Sequence, residues 1–349
     1  MLLAIDLAVV IEKLVLIVIV VMGSLVIAMY TTYAERKVAG WLQDRPGPNR
    51  AGPFGLLQPL ADGLKLFFKE EIIPEFSSKA LFVMGPALAM LTAIMTSAVI
   101  PWGDKVHFFN RDISLQIADI NIGILYVFGV VSMGVYGIMI GSWASNNKYS
   151  LMGGLRAASQ IISYELAMGI ALIALLMFTG TLSLKEMVLQ QQSGHWNILK
   201  QPLGFLIFIV CAFAECNRTP FDLAEAESEL IGGYHTEYSS MKLGFYLFAE
   251  YINMFISSAI MATLYFGGYD MPFFNEAAHA DYGNWLALIG IAAFMTKIVI
   301  FIFIFMWVRW TIPRFRYDQL MHLGWRILIP LALFNMLATG GGILYFGHH

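Results

Sequence analysis

AECNRTPFDLAEAESELIGGYHTEY, residues 214–238, lies between two apolar runs. It holds six carboxylates (Glu215, Asp222, Glu225, Glu227, Glu229 and Glu237) against one Arg218 and one His235. Only 13% of the chain is charged. The stretch is therefore either a solvated acidic linker between membrane helices or part of a polar route, and the flanking sequence distinguishes the two.

Working outward, 58% of the 349 residues are hydrophobic and 14% aromatic, with a mean hydropathy of +0.69. These values lie far outside soluble domains, and the apolar runs are long enough to span a bilayer. The expected fold is an all-α polytopic membrane protein, one integral membrane domain over 1–349. About eight transmembrane helices fit near 9–30, 80–100, 121–143, 155–179, 202–216, 243–267, 285–307 and 325–346, with an interfacial amphipathic helix on the inner side. The first run follows a very short N-terminus without a small-residue cleavage site and reads as an anchor, not a signal peptide. A net charge of −3 gives no basic surface for nucleic acid. Cys211 and Cys216, five apart, fit neither a metal clamp nor a disulfide framework. The seven His are scattered and no Gly-rich phosphate loop occurs, so no metal site or redox centre is read from this chain.

Lys and Arg set the orientation. Of the 21, 15 fall in or beside the loops after spans one, three, five and seven, and five on the other side. The basic loops, and with them 214–238, face the cytoplasm, matrix or stroma. The inner loop 31–79 begins YAERKVAGWLQDRPGPNRAGPFG. Pro46, Pro48, Pro53 and the nearby glycines dictate turns, so an ordered non-helical segment is expected. In LLQPLADGLKLFFKEE, Gln58, Asp62, Lys65 and Lys69 recur at i, i+4, i+7 and i+11, with Leu57, Leu60, Leu64, Phe67 and Phe68 opposite. That is an amphipathic helix too short to span. The outer loop 103–119 alternates polar and apolar residues and is expected to form a small hairpin. RWTIPRFRYDQL (309–320), basic and aromatic, reads as a topology anchor, with docking of a soluble partner as the alternative.

Ionisable side chains inside a span are functional candidates by default. Glu165 is ten residues into span four, about 15 Å deep at 1.5 Å per residue, and Glu250 is about 10 Å deep in span six by the same rise. The uninterrupted apolar part of span five, 203–214, is short of the roughly 20 residues a crossing needs. Glu215 therefore lies in the inner half of the bilayer. Lys297 falls near the middle of span seven. Beyond Glu12 and Asp119 near span ends, the outer half carries no carboxylate. If spans four to six pack together, three glutamates join the acidic inner loop 217–242 as a polar route that stops at mid-membrane. Buried carboxyls that sense one another are candidate proton carriers; the alternative for each is a local ion pair that locks helices together. Within the loop, Arg218 and Asp222 are spaced to pair at i, i+4. A helical 225–229 would put Glu225 and Glu229 on one face and Glu227 on the other. Thr219-Pro220 breaks the helix, and irregular backbone at this depth calls for a cavity or protein around it.

Three long segments carry a family resemblance: AERKVAGWLQDRPGPNRAGPFGLLQPLADGLKL, SNNKYSLMGGLRAASQIISYE and ECNRTPFDLAEAESELIGGYHTEYS. They resemble the signatures of the H-type (subunit 8) membrane subunit of respiratory complex I, the proton-pumping NADH:quinone oxidoreductase. The likeness covers nearly the whole chain, including the eight-span layout. It implies a subunit at the heel of the complex that forms most of the quinone tunnel and begins a hydrophilic axis toward the pumping subunits. Carried over by motif, Glu35, Arg36, Arg45, Asp62, Arg218, Phe221, Glu225 and Glu227 would border the quinone chamber. Glu165, Glu215, Glu229, Glu237, Glu250 and Lys297 would serve proton coupling. The resemblance implies quinone as substrate, with flavin and iron–sulfur clusters in partner subunits. Those partners are peripheral quinone-module subunits on the inner side and small membrane and antiporter-like subunits laterally, in a lipid surround. The expected location is a bacterial inner membrane, with mitochondrial or plastid membranes as alternatives. One departure stands out: some members carry a further carboxylate in the span before NNKYS, where this chain offers only Ser132. Two other readings stay open at this point. The equivalent subunit of a membrane-bound hydrogenase or ferredoxin-linked complex shares the fold, although RPGPNR and ECNRTPFD favour a quinone-using enzyme. An autonomous proton-coupled transporter predicts a complete polar crossing, against which the missing outer acids count.

Overall fold

The computed structural model describes residues 7–108, 111–271 and 284–346; the turn of the expected hairpin, 109–110, lies outside the described residues. Helix α1 (Leu7–Leu42) runs well past the membrane edge expected near residue 30. TTYAERKVAGWL contains no Pro, and its one Gly comes late, so the helix continues inward for about 18 Å at 1.5 Å per residue. It stops where Asp44 and Gly47 take positive φ (51° and 59°) beside the prolines of RPGP. The segment between α1 and α2 is therefore 43–57, irregular apart from one 3-10 turn at Pro53–Gly55, and Glu35 and Arg36 ride on a helix instead of a loop. Helix α2 (Gln58–Phe68) starts with Pro in its first turn. Asp62 of its polar stripe meets Arg36 of α1, and Leu60, Leu64, Phe67 and Phe68 are exposed.

Helices α3 (Lys79–Thr96) and α4 (Gly123–Ala144) meet backbone to backbone. A Cβ on Gly85 would lie 2.7 Å from Gly141 Cα, and one on Gly137 2.8 Å from Ala89 N. Gly85/Ala89 and Gly137/Gly141 are small-xxx-small pairs, which let membrane helices approach closely enough for dense van der Waals contact. The connection between them holds an antiparallel hairpin, β1 (Lys105–Phe108) and β2 (Arg111–Ser114), in the expected loop.

Helix α5 (Lys148–Thr179) is capped by Asn147, which accepts from Tyr149 N at 2.9 Å, and ends at Gly180 with φ 68°. Short α6 (Leu184–Gln192) and α7 (Asn197–Lys200) lead into α8 (Pro202–Glu215). Fourteen residues rise about 21 Å, less than the roughly 30 Å of hydrocarbon. The chain is then irregular as far as α9 (Glu227–Leu230). Gln160 of α5 donates to Ala214 O and to Phe221 O, each at 2.8 Å. Non-helical backbone at membrane depth requires such internal partners.

Helix α10 (Ser240–Tyr265) is the most buried candidate span and touches α1, α3, α8 and α11 (Asn284–Thr311). Helix α12 (Tyr317–His322) passes through a π-helical stretch, Leu323–Leu328, into α13 (Ile329–Phe346). With α12 and α13 as one crossing, seven helices among the described residues are long and apolar enough to span, and α8 is a shorter apolar helix. The chain is an all-α polytopic membrane protein.

Gly153 of α5 is where the acidic loop lands, because a Cβ there would sit 2.6 Å from Tyr234 N. Gly153→Val is expected to destabilise the protein by about 1–3 kcal/mol through overpacking, read as an earlier melting midpoint in detergent. Gly129→Ala, whose added Cβ meets nothing within 4 Å, does not lower the midpoint. Equal behaviour of the two variants would remove this contact as the loop's seat.

Candidate functional site

The inner end of the helix bundle is organised around Glu35 of α1, which is 5% exposed. Tyr251 of α10 donates its hydroxyl to Glu35 Oε2 at 2.8 Å. Arg218, just beyond α8, places Nη1 3.5 Å from the same oxygen, and Arg309 at the end of α11 pairs with Oε1. The Arg218 guanidinium lies 4.0 Å from the Tyr251 ring centroid, a cation–π contact. Arg218 is 4% exposed, and its Nε and Nη2 make no hydrogen bond among the described residues.

The expected Arg218–Asp222 pair is not formed. The backbone between them is turn and coil, so the i, i+4 relation of a helix does not exist there. Asp222 instead accepts from Arg314 at 2.8 Å. Burial pushes its carboxyl up to about 6, opposed by the Arg314 charge.

Deeper in, the loop meets α10. The buried Tyr234 hydroxyl is 2.9 Å from Glu225 Oε1 and 2.8 Å from Glu250 Oε1. The two carboxyl groups are also within hydrogen-bonding reach of each other, and His235 Nδ1 is 3.5 Å from Glu225. Next to Glu250 lies a cavity of about 40 Å³ lined by Tyr234, Glu250, Asn253, Asn217, Cys216 and Glu215. A second cavity of about 30 Å³ shares Glu215, Cys216 and Asn253 and reaches Ser257 and Phe128. At the 10–15 Å³ that one requires, the first has room for about three or four waters and the second for about two or three. Glu215 in turn senses the charge of Glu165, whose carboxylate accepts from Ser132 of α4. The position without a carboxylate in span three is thus occupied by a hydroxyl bonded to Glu165.

Other candidates lie apart from this line. Asp62 pairs with Arg36 at 2.6 Å beside the exposed face of α2, and Arg45 donates to Gln43 at 2.7 Å on the surface. Phe221 is packed edge-on against Tyr164, 5.3 Å between centroids, and is 4% exposed. Glu229 accepts from Arg156 at 2.6 Å, and Glu237 accepts from Asn147 at 2.5 Å; both tie the loop to the start of α5. Glu227 opens α9, and its side chain lies outside the described residues. Lys297 is not brought to the carboxyls. It donates to Phe266 O, Gly268 O and Asp270 O at 2.5–2.8 Å and so caps the outer end of α10.

Sequence reasoning missed Tyr251, Arg309, Tyr234 and Asn253. A signal for the last was present: Tyr246, Glu250, Asn253 and Ser257 fall at i, i+4, i+7 and i+11, a polar stripe on the most buried helix. Both cavities lie along it. Among the described residues, no group of three His, Cys, Asp or Glu is placed to hold a metal ion.

Two outcomes test this electrostatic frame. Glu35→Leu strands Arg218 and Arg309 without their shared counter-charge and is expected to cost about 3–5 kcal/mol, measured as lost thermal stability; Glu35→Gln costs less. For Asp222, the folded-state value near 6 exceeds the unfolded value of about 3.9, so the folded protein holds this proton more tightly. Stability from this group therefore falls as pH rises from about 4 to 6, by roughly 1.4 kcal/mol per unit. Melting curves of wild type and Asp222→Asn should diverge by that slope in this window and run parallel above it. Parallel curves throughout would refute the assignment.

Comparison with known proteins extends these observations. A family model described as NADH dehydrogenase matches residues 14–340. An H-type subunit of NADH-quinone oxidoreductase from Cytophaga hutchinsonii is 66% identical over 335 residues, covering 96% of this chain and 97% of the relative. The H-type subunit of NADH-quinone oxidoreductase from Flavobacterium psychrophilum is 67% identical over 341 residues, 98% and 99% of the two chains. A Geobacter metallireducens protein, again an H-type subunit of NADH-quinone oxidoreductase, is 47% identical over 337 residues, 97% of each.

Proposed function

The chain belongs to the NADH dehydrogenase family, and from that premise we propose that it is the H-type membrane subunit of a proton-translocating NADH:quinone oxidoreductase, complex I. In this reading it forms the quinone access chamber and couples quinone reduction to proton translocation through its buried carboxyls. The observation that carries the reading is the succession Glu35–Arg218, Glu225–Tyr234–Glu250, cavity, Glu215, Glu165–Ser132.

The chamber is bordered by Glu35, Arg36, Arg45, Asp62, Arg218, Phe221, Glu225 and Glu227, with α2 in the membrane interface as its apolar floor. A quinone headgroup brought to this end meets Arg218 Nε and Nη2, two donors in a desolvated setting where hydrogen bonds are strong. Glu250, Glu215 and Glu165 carry the proton route onward. Glu229, Glu237 and Lys297 hold the loop and the outer connection in place around it. Flavin and iron–sulfur clusters reside in partner subunits docked on the inner side, and small membrane and antiporter-like subunits flank the helices. The membrane is the bacterial inner membrane, with the acidic loop on its cytoplasmic side.

Glu215→Gln keeps the shape of the side chain and removes its titration. In the intact complex it is expected to lower quinone-linked turnover and proton pumping by about 10²-fold, the scale of a lost proton-transfer group. NADH oxidation by a water-soluble acceptor that bypasses quinone persists. Wild-type pumping in this variant would sink the coupling role.

A further inference from the structure

The bonds around Tyr234 impose a proton count. A phenol has one hydrogen to donate and accepts through its oxygen. Its oxygen lies 2.9 Å from Glu225 and 2.8 Å from Glu250, so it donates to one carboxyl, and the other contact is a hydrogen bond only if that carboxyl donates back. The two carboxyls also reach each other, and two carboxylates in contact cannot both be ionised without severe repulsion. Tyr234 is 1% exposed, so no bulk water relieves the contact. Burial, then the charges of Glu250 and Glu225, hold its phenol well above the ordinary range, which keeps it neutral throughout.

We propose that Glu225, Tyr234 and Glu250 form one proton-holding unit with a single shared proton, and that Tyr234 is the positioning residue that passes it between the loop and the membrane interior. The proposal rests on the coupling role given above. The transfer balances without a phenolate. The Glu225 O–H breaks as its proton forms a new Tyr234 O–H, while the original Tyr234 O–H breaks and its proton joins Glu250. One proton moves inward, and one negative charge moves from Glu250 to Glu225.

The test uses the intact complex. Tyr234→Phe removes the hydroxyl and keeps the ring; quinone-linked turnover and pumping are expected to fall at least about tenfold. Replacement of Tyr234 by fluorinated tyrosines changes phenol acidity with little change of shape. Turnover is expected to track that acidity with an altered solvent deuterium effect, which a bracing role would not produce. Wild-type pumping in Tyr234→Phe overturns the proposal. So does an impaired Phe variant combined with fluorotyrosine enzymes that behave as wild type, because the residue is then a brace. In either case Glu250→Gln and Glu225→Gln separate the two ideas. If both lose pumping, the coupling route stands without Tyr234; if neither does, the route itself fails.

Discussion

The carboxylate of Glu35 holds four parts of the chain to one another. It is buried, and it faces the guanidinium groups of Arg218 and Arg309 and the Tyr251 hydroxyl. Taking such charges out of water costs several kcal/mol each, and only good geometry with further hydrogen bonds offsets that. The arrangement therefore constrains its surroundings. The inward extension of α1, the turn after α8, the middle of α10 and the end of α11 must all stay in register for the charges to be matched. The second pair, Asp222 with Arg314, extends the same logic to the segment before α12. Charge balance at this end belongs to the cluster and not to any one pair.

The incomplete crossing of α8 is the second constraint. A helix of 14 residues is shorter than the roughly 30 Å hydrocarbon layer, and the chain continues beyond it without a helical ladder. Gln160 supplies the missing donors, and Phe221 anchors the turn against Tyr164 and Phe315. Carboxyl groups at the tip of α8 and in the loop are thereby held at fixed depth beside α10. Both cavities lie beside this break, at Glu215 and Cys216.

Much of this was legible in the sequence. Hydropathy fixes the fold class, the shortness of 203–214 marks α8 as shorter than the other apolar helices, and the 3.6 period predicts α2 with its polar stripe. The polar face of α5 was visible too; its hydroxyls bond to α12, with Ser159 to Tyr317 at 2.9 Å and Tyr164 to Leu320 O at 2.9 Å. What stayed hidden was set by distant pairing. Tyr251 and Glu35 are 216 residues apart, and no local period encodes that contact. Arg218 and Asp222 look like a pair only if a helix joins them, and it does not. Glu229 and Glu237 read as members of the acidic group, yet each is tied at the surface to α5 or its cap. Their partners, Arg156 and Asn147, come from another part of the chain.

The second cavity ends against Met168, Phe208 and Ile260. Beyond it, Phe205, Tyr265, Phe266 and Phe301 pack edge to face with centroids 5.2–5.3 Å apart. These four rings form an apolar layer. A transmembrane voltage drops mainly across the least polarisable part of its path, which in the proposed placement is this layer. In the proposed placement, the carboxyls lie on the inner-water side of this layer. Moving a proton among them does little electrical work, compared with about 2.3 kcal/mol per 100 mV for a full crossing. Under the proposed coupling role, proton rearrangement within this chain depends only weakly on the membrane voltage, and the work against that voltage falls to the partner subunits of the proposed assembly.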